Sequence, residues 1–383
     1  MDLSLTPEHA DLRQLARNFA DDEIAPHAAE WDRRESLDLD LIPRMGELGF
    51  LGLTIPEEHG GSGGDHLAYY LVLEELGRAD SSVRGVVSVS LGLVAATIAR
   101  HGTPEQHQRW LPALCSGRAL GCFALTEPGT GSDAGALTTR AVRDGDDWLI
   151  TGAKTFITNG TWADVALLLA RTSDDGSRGI TAFLVPTASA GFHRREINGK
   201  LGLRAQATAE LHLDGVRVPD TARLGEVGRG FPLAMSALGK GRVSVAAGCV
   251  GIAQASLDAA LRYAGERHQF GKAIAGHQLV QRLLATTAVD TAAARLLVWQ
   301  AADLLDRGQP HETAASMAKL FASEAAVRAA DNAVQVFGGY GYVDEYPVSR
   351  YLRDARVTTL YEGTSQIQQL VIGRSLTGVA AFS

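Results

Sequence analysis

The sequence predicts an α+β multidomain chain in three units: an N-terminal all-helical domain over 1–119, a central β-sandwich or barrel over 120–229, and a C-terminal antiparallel four-helix bundle over 230–383. Three observations predict it. Apolar residues recur every three or four positions as far as about Gly117. Short apolar runs between turn residues then replace that period to about Gly228. The helical period returns afterwards in longer segments joined by short connections.

In the first unit, Thr6-Pro7-Glu8 supplies a cap, a first-turn proline and an acidic residue near the helix dipole. Leu12, Leu15, Ala16 and Phe19 follow at helical spacing, which predicts a folded amphipathic helix rather than a targeting segment. Pro26, Pro43, the turn Gly60 to Gly64, and Gly102-Thr103-Pro104 punctuate the helices. In the second unit, 148–150, 155–158, 165–170, 180–185 and 210–213 read as strands. Asn159-Gly160, Asp175-Gly176 and Asp214-Gly215 mark turns. In the third, helices are expected over 233–269, 277–307 and 313–337, with a last one after Ser365.

The net charge of −8 argues against a nucleic-acid partner and against an anionic membrane surface. Cys115, Cys122 and Cys249 form no C-x-x-C pair, which fits unpaired thiols in a reducing compartment. No run of eighteen apolar residues appears, so no membrane insertion and a cytoplasmic location are expected. H-E-x-x-H and E-x-x-H are missing, which leaves no metal site, and no G-x-S-x-G elbow supports a serine hydrolase.

Four motifs carry the chemistry. Tyr361-Glu362-Gly363-Thr364-Ser365-Gln366-Ile367-Gln368 sets one carboxylate on a glycine-containing turn before a helix, and Ser365 and Gln368 have capping-box spacing. If that turn reaches a buried place, Glu362 has a raised pKa and suits a general base; otherwise it is a solvated loop residue. Phe123 to Gly135 holds three glycines and several hydroxyls, suited to phosphate or to another electron-rich group, or simply to a Gly-rich loop. Its G-x-G-x-x-x-G spacing, followed by strands, fails the nicotinamide fingerprint. Gly265 to Lys272 resembles a P-loop but has five intervening residues, no following Ser or Thr, and no preceding strand. Arg267 there suits a phosphate, or is a surface cation near a helix end. In Gln335-Val336-Phe337-Gly338-Gly339-Tyr340-Gly341, Gly338 is expected to end a helix in the left-handed conformation. The surplus glycines suggest a close backbone approach.

These motifs, in this order and with this domain alternation, resemble the acyl-CoA dehydrogenase family across nearly the whole chain, from Pro56-Glu57-Glu58-His59-Gly60-Gly61 through the Tyr361 segment. The resemblance implies a homotetramer built as a dimer of dimers, non-covalent FAD, and a role in fatty acid metabolism. It implies that Glu362 removes the proton α to a thioester while flavin N5 takes the β hydride. It places Phe123, Leu125, Thr126, Gly131 and Ser132 in a flavin loop, Ser132 near the substrate as well. Phe156, Ile157 and Thr158 would pack on the isoalloxazine, with Thr158 reaching N5. Arg267, Gln269, Phe270, Gln278, Gln335, Val336, Gly338 and Gly339 would touch FAD across the dimer interface, and Thr364 and Gln366 its adenosine and pyrophosphate end. Arg242, Tyr361 and Gly363 would line the acyl site.

Two positions depart from the family pattern: Phe156, where many members carry Trp, and Gln206, where a small hydroxyl residue is common. Some relatives place the base one residue before the arginine of the long helix, where this chain has Gly241. The resemblance implies an acyl-CoA substrate and an electron-transfer flavoprotein as acceptor. An acyl-carrier-protein thioester, an O2-using oxidase and a cofactor-free oligomerisation protein stand as alternatives.

Overall fold

The computed structural model describes residues 4–381. Seven helices come first: α1 Pro7–Phe19, α2 Ala28–Arg34, α3 Leu41–Glu47, α4 His66–Ala79, α5 Ser81–Val87, α6 Ala96–His101 and α7 Pro104–Cys115. The Thr6 hydroxyl caps α1 by accepting from His9 N. Thr103 and Gln106 form a reciprocal capping box on α7. Pro43 lies in the first turn of α3 rather than between helices, a position that needs no N–H. Fully buried Glu75 on α4 accepts from Arg13 and Arg17 of α1 and from Arg78, which ties α1 to the core. A π-helical stretch, Ser88–Ala95, joins α5 to α6. Such wide turns cluster at functional sites.

Eight strands follow: β1 Gly121–Ala124, β2 Arg140–Asp144, β3 Asp147–Thr158, β4 Val165–Arg171, β5 Ile180–Pro186, β6 Phe192–Glu196, β7 Thr208–Pro219 and β8 Arg223–Leu224. They pair in the order β6-β7-β3-β2-β4-β5-β8, with β1 parallel to β4. The two halves meet at a single pair, Arg140 with Arg171. Trp148, Ile150, Leu211 and Val216 from one half share a core with Leu168, Phe183 and Val185 from the other, the arrangement of a sandwich. Strand β4 divides its residues between two cores. Ala166, Leu168 and Ala170 face the sandwich, while Val165, Leu167 and Leu169 face the helices. Two expectations change here. Segments 148–150 and 155–158 belong to one strand, and Asp214-Gly215 lies inside β7 where the pairing register shifts, not at a turn.

The C-terminal unit has α8 Gly230–Glu266, a hairpin β9 His268–Gln269 with β10 Lys272–Ala273, α9 Gln278–Asp306, α10 Glu312–Phe337, α11 Val348–Val357 and α12 Ser365–Thr377. Helix α8 stops at Glu266, not at Gln269, because the chain turns into the hairpin through Phe270 (φ +53°) and Gly271 (φ +80°). Gly338 has positive φ but extended ψ (+61°, −136°), so it is not a left-handed cap. Helices α4 and α8 meet through glycines: a Cβ on Gly77 would stand 3.0 Å from Gly248 Cα, and one on Gly251 would stand 2.3 Å from Glu74 O. Arg84 on α5, Gly241 on α8 and Lys319 on α10 all reach the turn before α12. Ser81–His101 and Gly230–Glu266 are long and apolar enough to cross a membrane. Their most apolar windows are 89% and 83% buried inside the fold, as core helices are.

Candidate active site

The turn before α12 is held by two side chains. Glu362 and Gly363 both have positive φ, +51° and +88°. A non-glycine residue in that region is strained and persists only where its surroundings enforce it. The enforcing contacts come from Lys319 on α10, whose ammonium donates to Gly363 O at 2.8 Å, and from Gln368. Gln368 Nε2 donates to Glu362 O at 3.2 Å and to Gly363 O at 3.0 Å. Ser365 and Gln368 therefore form no capping box. The cap is Thr364, whose hydroxyl accepts from Ile367 N.

The turn drives the Glu362 carboxylate into the protein. Its Oε2 is closed off from solvent and makes no hydrogen bond. Burial pushes its pKa up to about 6 against the pull of Arg84, Lys319 and Arg242. All three cations are themselves strained by burial. Lys319 is fully enclosed and pushed down to about 8. Arg242 is lowered by burial and leaves Nε without a partner. Arg84 is 2% exposed, donates to Tyr361 Oη at 2.7 Å and leaves Nε unpaired. Gly241 makes the room: a Cβ there would stand 2.2 Å from Glu362 Oε2 and 2.9 Å from Leu93 Cδ2. The Glu362 N–H has no acceptor among the described residues, so it is free to bind an oxyanion.

A second wall comes from the sandwich. Phe156 at the end of β3 has φ +57° and is 67% exposed, an unusual state for a large aromatic. Thr158, two residues on, is half-buried. The loop after β1 is fixed by a buried ion pair. Lys154 Nζ lies 2.8 Å from Glu127 Oε1 and 3.1 Å from Leu125 O, and Glu127 Oε2 accepts from Thr138 N and its hydroxyl. Burial alone would raise Glu127, but Lys154 holds it well below the usual carboxylate range. Phe123 and Leu125 are buried, Thr126 O accepts from Thr155 N, and Gly131 and Ser132 are exposed. Ile157 is 2% exposed in the sandwich core, so its side chain leaves this wall.

Arg267, Gln269, Phe270, Gln278, Gln335, Gly338 and Gly339 are all exposed, and Phe270 is 93% exposed. Arg267 stacks over Tyr340, and Gln269 O pairs with His277 Nε2. Val336 is buried against Phe337 and Tyr263, so only its backbone reaches this patch. Thr364 is half-buried at the α12 cap, and Gln366 is exposed in that helix's first turn.

These residues fit a flavin dinucleotide. A Cβ on Gly131, Gly338 or Gly339 would meet nothing within 4 Å, so the backbone there is open to a close approach. Hydroxyls of Thr126, Ser132 and Thr158 and the exposed Phe156 ring suit the polar edge and the flat face of such a cofactor. No group of three metal-ligating side chains occurs among the described residues.

Sequence reasoning missed Arg84, Lys319 and the Glu127–Lys154 pair. Arg84 did carry a signal: it is the only charge between Ser81 and Ala99, and a lone charge in an apolar helix is rarely left without a task. His59 and His66, on either side of the Gly-rich turn, are both engaged. His66 pairs with Asp306 at 2.7 Å, and His59 lies against His107.

Sequence models of the acyl-CoA dehydrogenase N-terminal, middle and C-terminal domains match residues 6–118, 122–216 and 228–377. The short-chain specific acyl-CoA dehydrogenase of Rattus norvegicus mitochondria is 44% identical over 98% of this chain and 91% of its own. Three solved structures are similar throughout. A chain from work on the electron transferring flavoprotein of Acidaminococcus fermentans is 42% identical (TM-score 0.97; 98% and 100% of the two chains). Butyryl-CoA dehydrogenase from Megasphaera elsdenii is 40% identical (0.96; 98% and 100%). A glutaryl-CoA dehydrogenase from Mycobacterium smegmatis in complex with FADH2 is 38% identical (0.95; 99% and 97%).

Proposed function

The chain belongs to the acyl-CoA dehydrogenase family of flavin-dependent oxidoreductases, and from that premise we propose that it desaturates a short acyl-CoA between Cα and Cβ with Glu362 as the base. The observation that carries this is the half-buried Glu362 side chain, whose Oε2 is closed off from solvent and unpaired, with a pKa of about 6. A base poised there is ionised at neutral pH yet keeps proton affinity. Its deprotonation of the α-carbon places charge on the thioester oxygen, and the free Glu362 N–H is the protein donor for that charge. Arg84, Lys319 and Arg242 keep the carboxylate ionised without pairing with it, so the base is not quenched. Lys319 also holds the turn at Gly363.

FAD would be held by the 123–132 loop and by Phe156 and Thr158. When bound, it supplies the acceptor for the hydride equivalent leaving Cβ. The patch of Arg267, Phe270 and Gly338 would meet the FAD of a second copy. The bare apolar residues Leu279 (74% exposed) and Val289 (68% exposed) on α9 support assembly into a homotetramer. The likeness to the Acidaminococcus fermentans chain supports an electron transferring flavoprotein as the acceptor.

A second reading concerns the acyl group. A buried guanidinium with no carboxylate partner is costly unless an anion completes it. Arg84 Nε lacks a partner. This favours an acyl chain ending in a carboxylate, as glutaryl-CoA does. Anaerobic bleaching of the FAD-loaded protein tests both readings. Bleaching by butyryl-CoA supports the first and preferential bleaching by glutaryl-CoA supports the second; no bleaching by any acyl-CoA sinks both.

A further inference from the structure

Gln206 stands where the family pattern has a small hydroxyl, and its surroundings are built around the larger side chain. It is 3% exposed. Its Nε2 donates to Thr158 Oγ1 at 2.7 Å. The amide lies flat on α5 at Gly85: a Cβ there would stand 2.4 Å from Gln206 Oε1 and 3.0 Å from Cδ. Any residue but glycine at 85 would expel it. The backbone on either side is pinned as well. Gln206 N donates to Leu203 O, Leu203 N donates to buried Asp354 at 2.6 Å, and Ala207 O accepts from Asn159 N.

A threonine hydroxyl has one proton to donate and lone pairs to accept. With the amide turned so that Nε2 occupies one lone pair and Oε1 is left without a partner, the Thr158 hydroxyl donates to no residue among those described, and its proton is free for a group bound in the cleft. We propose that Gln206 is a positioning residue that commits the Thr158 proton to the flavin ring. A serine at 206 could rotate and act as donor or acceptor, so it would leave the Thr158 proton undirected. A hydrogen bond donated to the ring stabilises added electron density, so Gln206, acting through Thr158, raises the electron affinity of the cofactor. This inference rests on the flavin reading above.

The test is the midpoint potential and absorption spectrum of FAD-loaded wild type, Gln206→Met, Thr158→Val and the double variant. Gln206→Met is expected to lower the reduced-to-oxidised ratio at fixed potential about three- to tenfold, the worth of one neutral hydrogen bond. In the Thr158→Val background the same change should have no further effect, because the two act as one unit. Unchanged potential and spectrum in Gln206→Met, or additive shifts in the double variant, overturn the assignment. Should Gln206→Met not fold, Gln206→Ser carries the same expectation. A wild-type protein that binds no FAD would sink the flavin reading itself, a result distinct from a loaded protein indifferent to residue 206.

Discussion

The carboxylate of Glu362 rests on the backbone of Gly241, in the space that a side chain at 241 would fill: a Cβ there would lie 2.2 Å from Oε2. The two positions are 121 residues apart, yet only one of them can carry a side chain here. The clash is with the far end of a flexible side chain, so Gly241→Ala should fold and move the carboxylate instead. Displacing a reacting group by about 1 Å costs on the order of 100-fold in rate. Expected are normal FAD content and melting temperature with kcat reduced by about that factor, read by steady-state kinetics beside a thermal melt.

Glu362→Gln should retain fold and FAD and lose most dehydrogenation. In the wild type, kcat/KM should climb about tenfold per pH unit below 6 and level off above it. Stability carries the opposite sign. The folded pKa lies above the ordinary 4.5, so between about 4.5 and 6 the folded chain keeps a proton that the unfolded chain has lost. Stability therefore falls as pH rises through that window, by on the order of 2 kcal/mol. Glu362→Gln should melt higher than wild type at pH 8 and no higher at pH 4. A variant with normal turnover would remove Glu362 from its role.

Arg84 is the leading charge holding Glu362 down. Arg84→Met should move the acidic limb of the pH–rate profile upward from about 6. On the carboxylate reading it should also raise KM for glutaryl-CoA far more than for butyryl-CoA. Equal effects on both substrates would leave Arg84 as a charge on the base and nothing more.

Lys319→Met removes the bond to Gly363 O, worth about 1.5–3 kcal/mol for a charged donor. It also removes a buried amine pushed from 10.5 to about 8, a cost of about 3 kcal/mol at neutral pH. The two offset, so the melting temperature should change little. Turnover should fall, because the strained turn at Glu362 loses a tether. A large melting shift with unchanged kcat would contradict this role.

Glu127→Gln leaves Lys154 buried without its counter-charge, a loss of about 3–5 kcal/mol. Because the pair anchors the loop that carries Thr126 and Ser132, FAD retention should fall with stability. Denaturant melts and flavin content after gel filtration would report both.

Much of the architecture was legible because hydrophobic period is a local property. The helical period of 278–306 and 312–337, the alternating and apolar runs of the sandwich, and the Gly-rich punctuation are each written within a few neighbouring residues. The turn at Glu362 was legible for the same reason, since a carboxylate beside glycine before a helix start is a local pattern. Local pattern misled where a bulge looked like a turn, as at Asp214-Gly215, and where Ser365 seemed to be the cap. For the bulge a partner on another strand, β3, decides which backbone group is satisfied; at the start of α12, Gln368 is taken up by the Glu362 and Gly363 carbonyls instead of by Ser365.

What the sequence alone determined is the order of helices, strands and helices, and the presence of one well-placed carboxylate. Only the tertiary structure decided what that carboxylate is. Arg84, Gly241, Lys319 and Glu362 come from four distant segments, and pKa depends on the solvent and charges within a few ångströms, not on chain neighbours. The same holds for Gln206, an odd residue in a loop until Gly85 and Thr158 close around it. Periodicity is written along the chain, whereas burial and electrostatics exist only once the chain has packed.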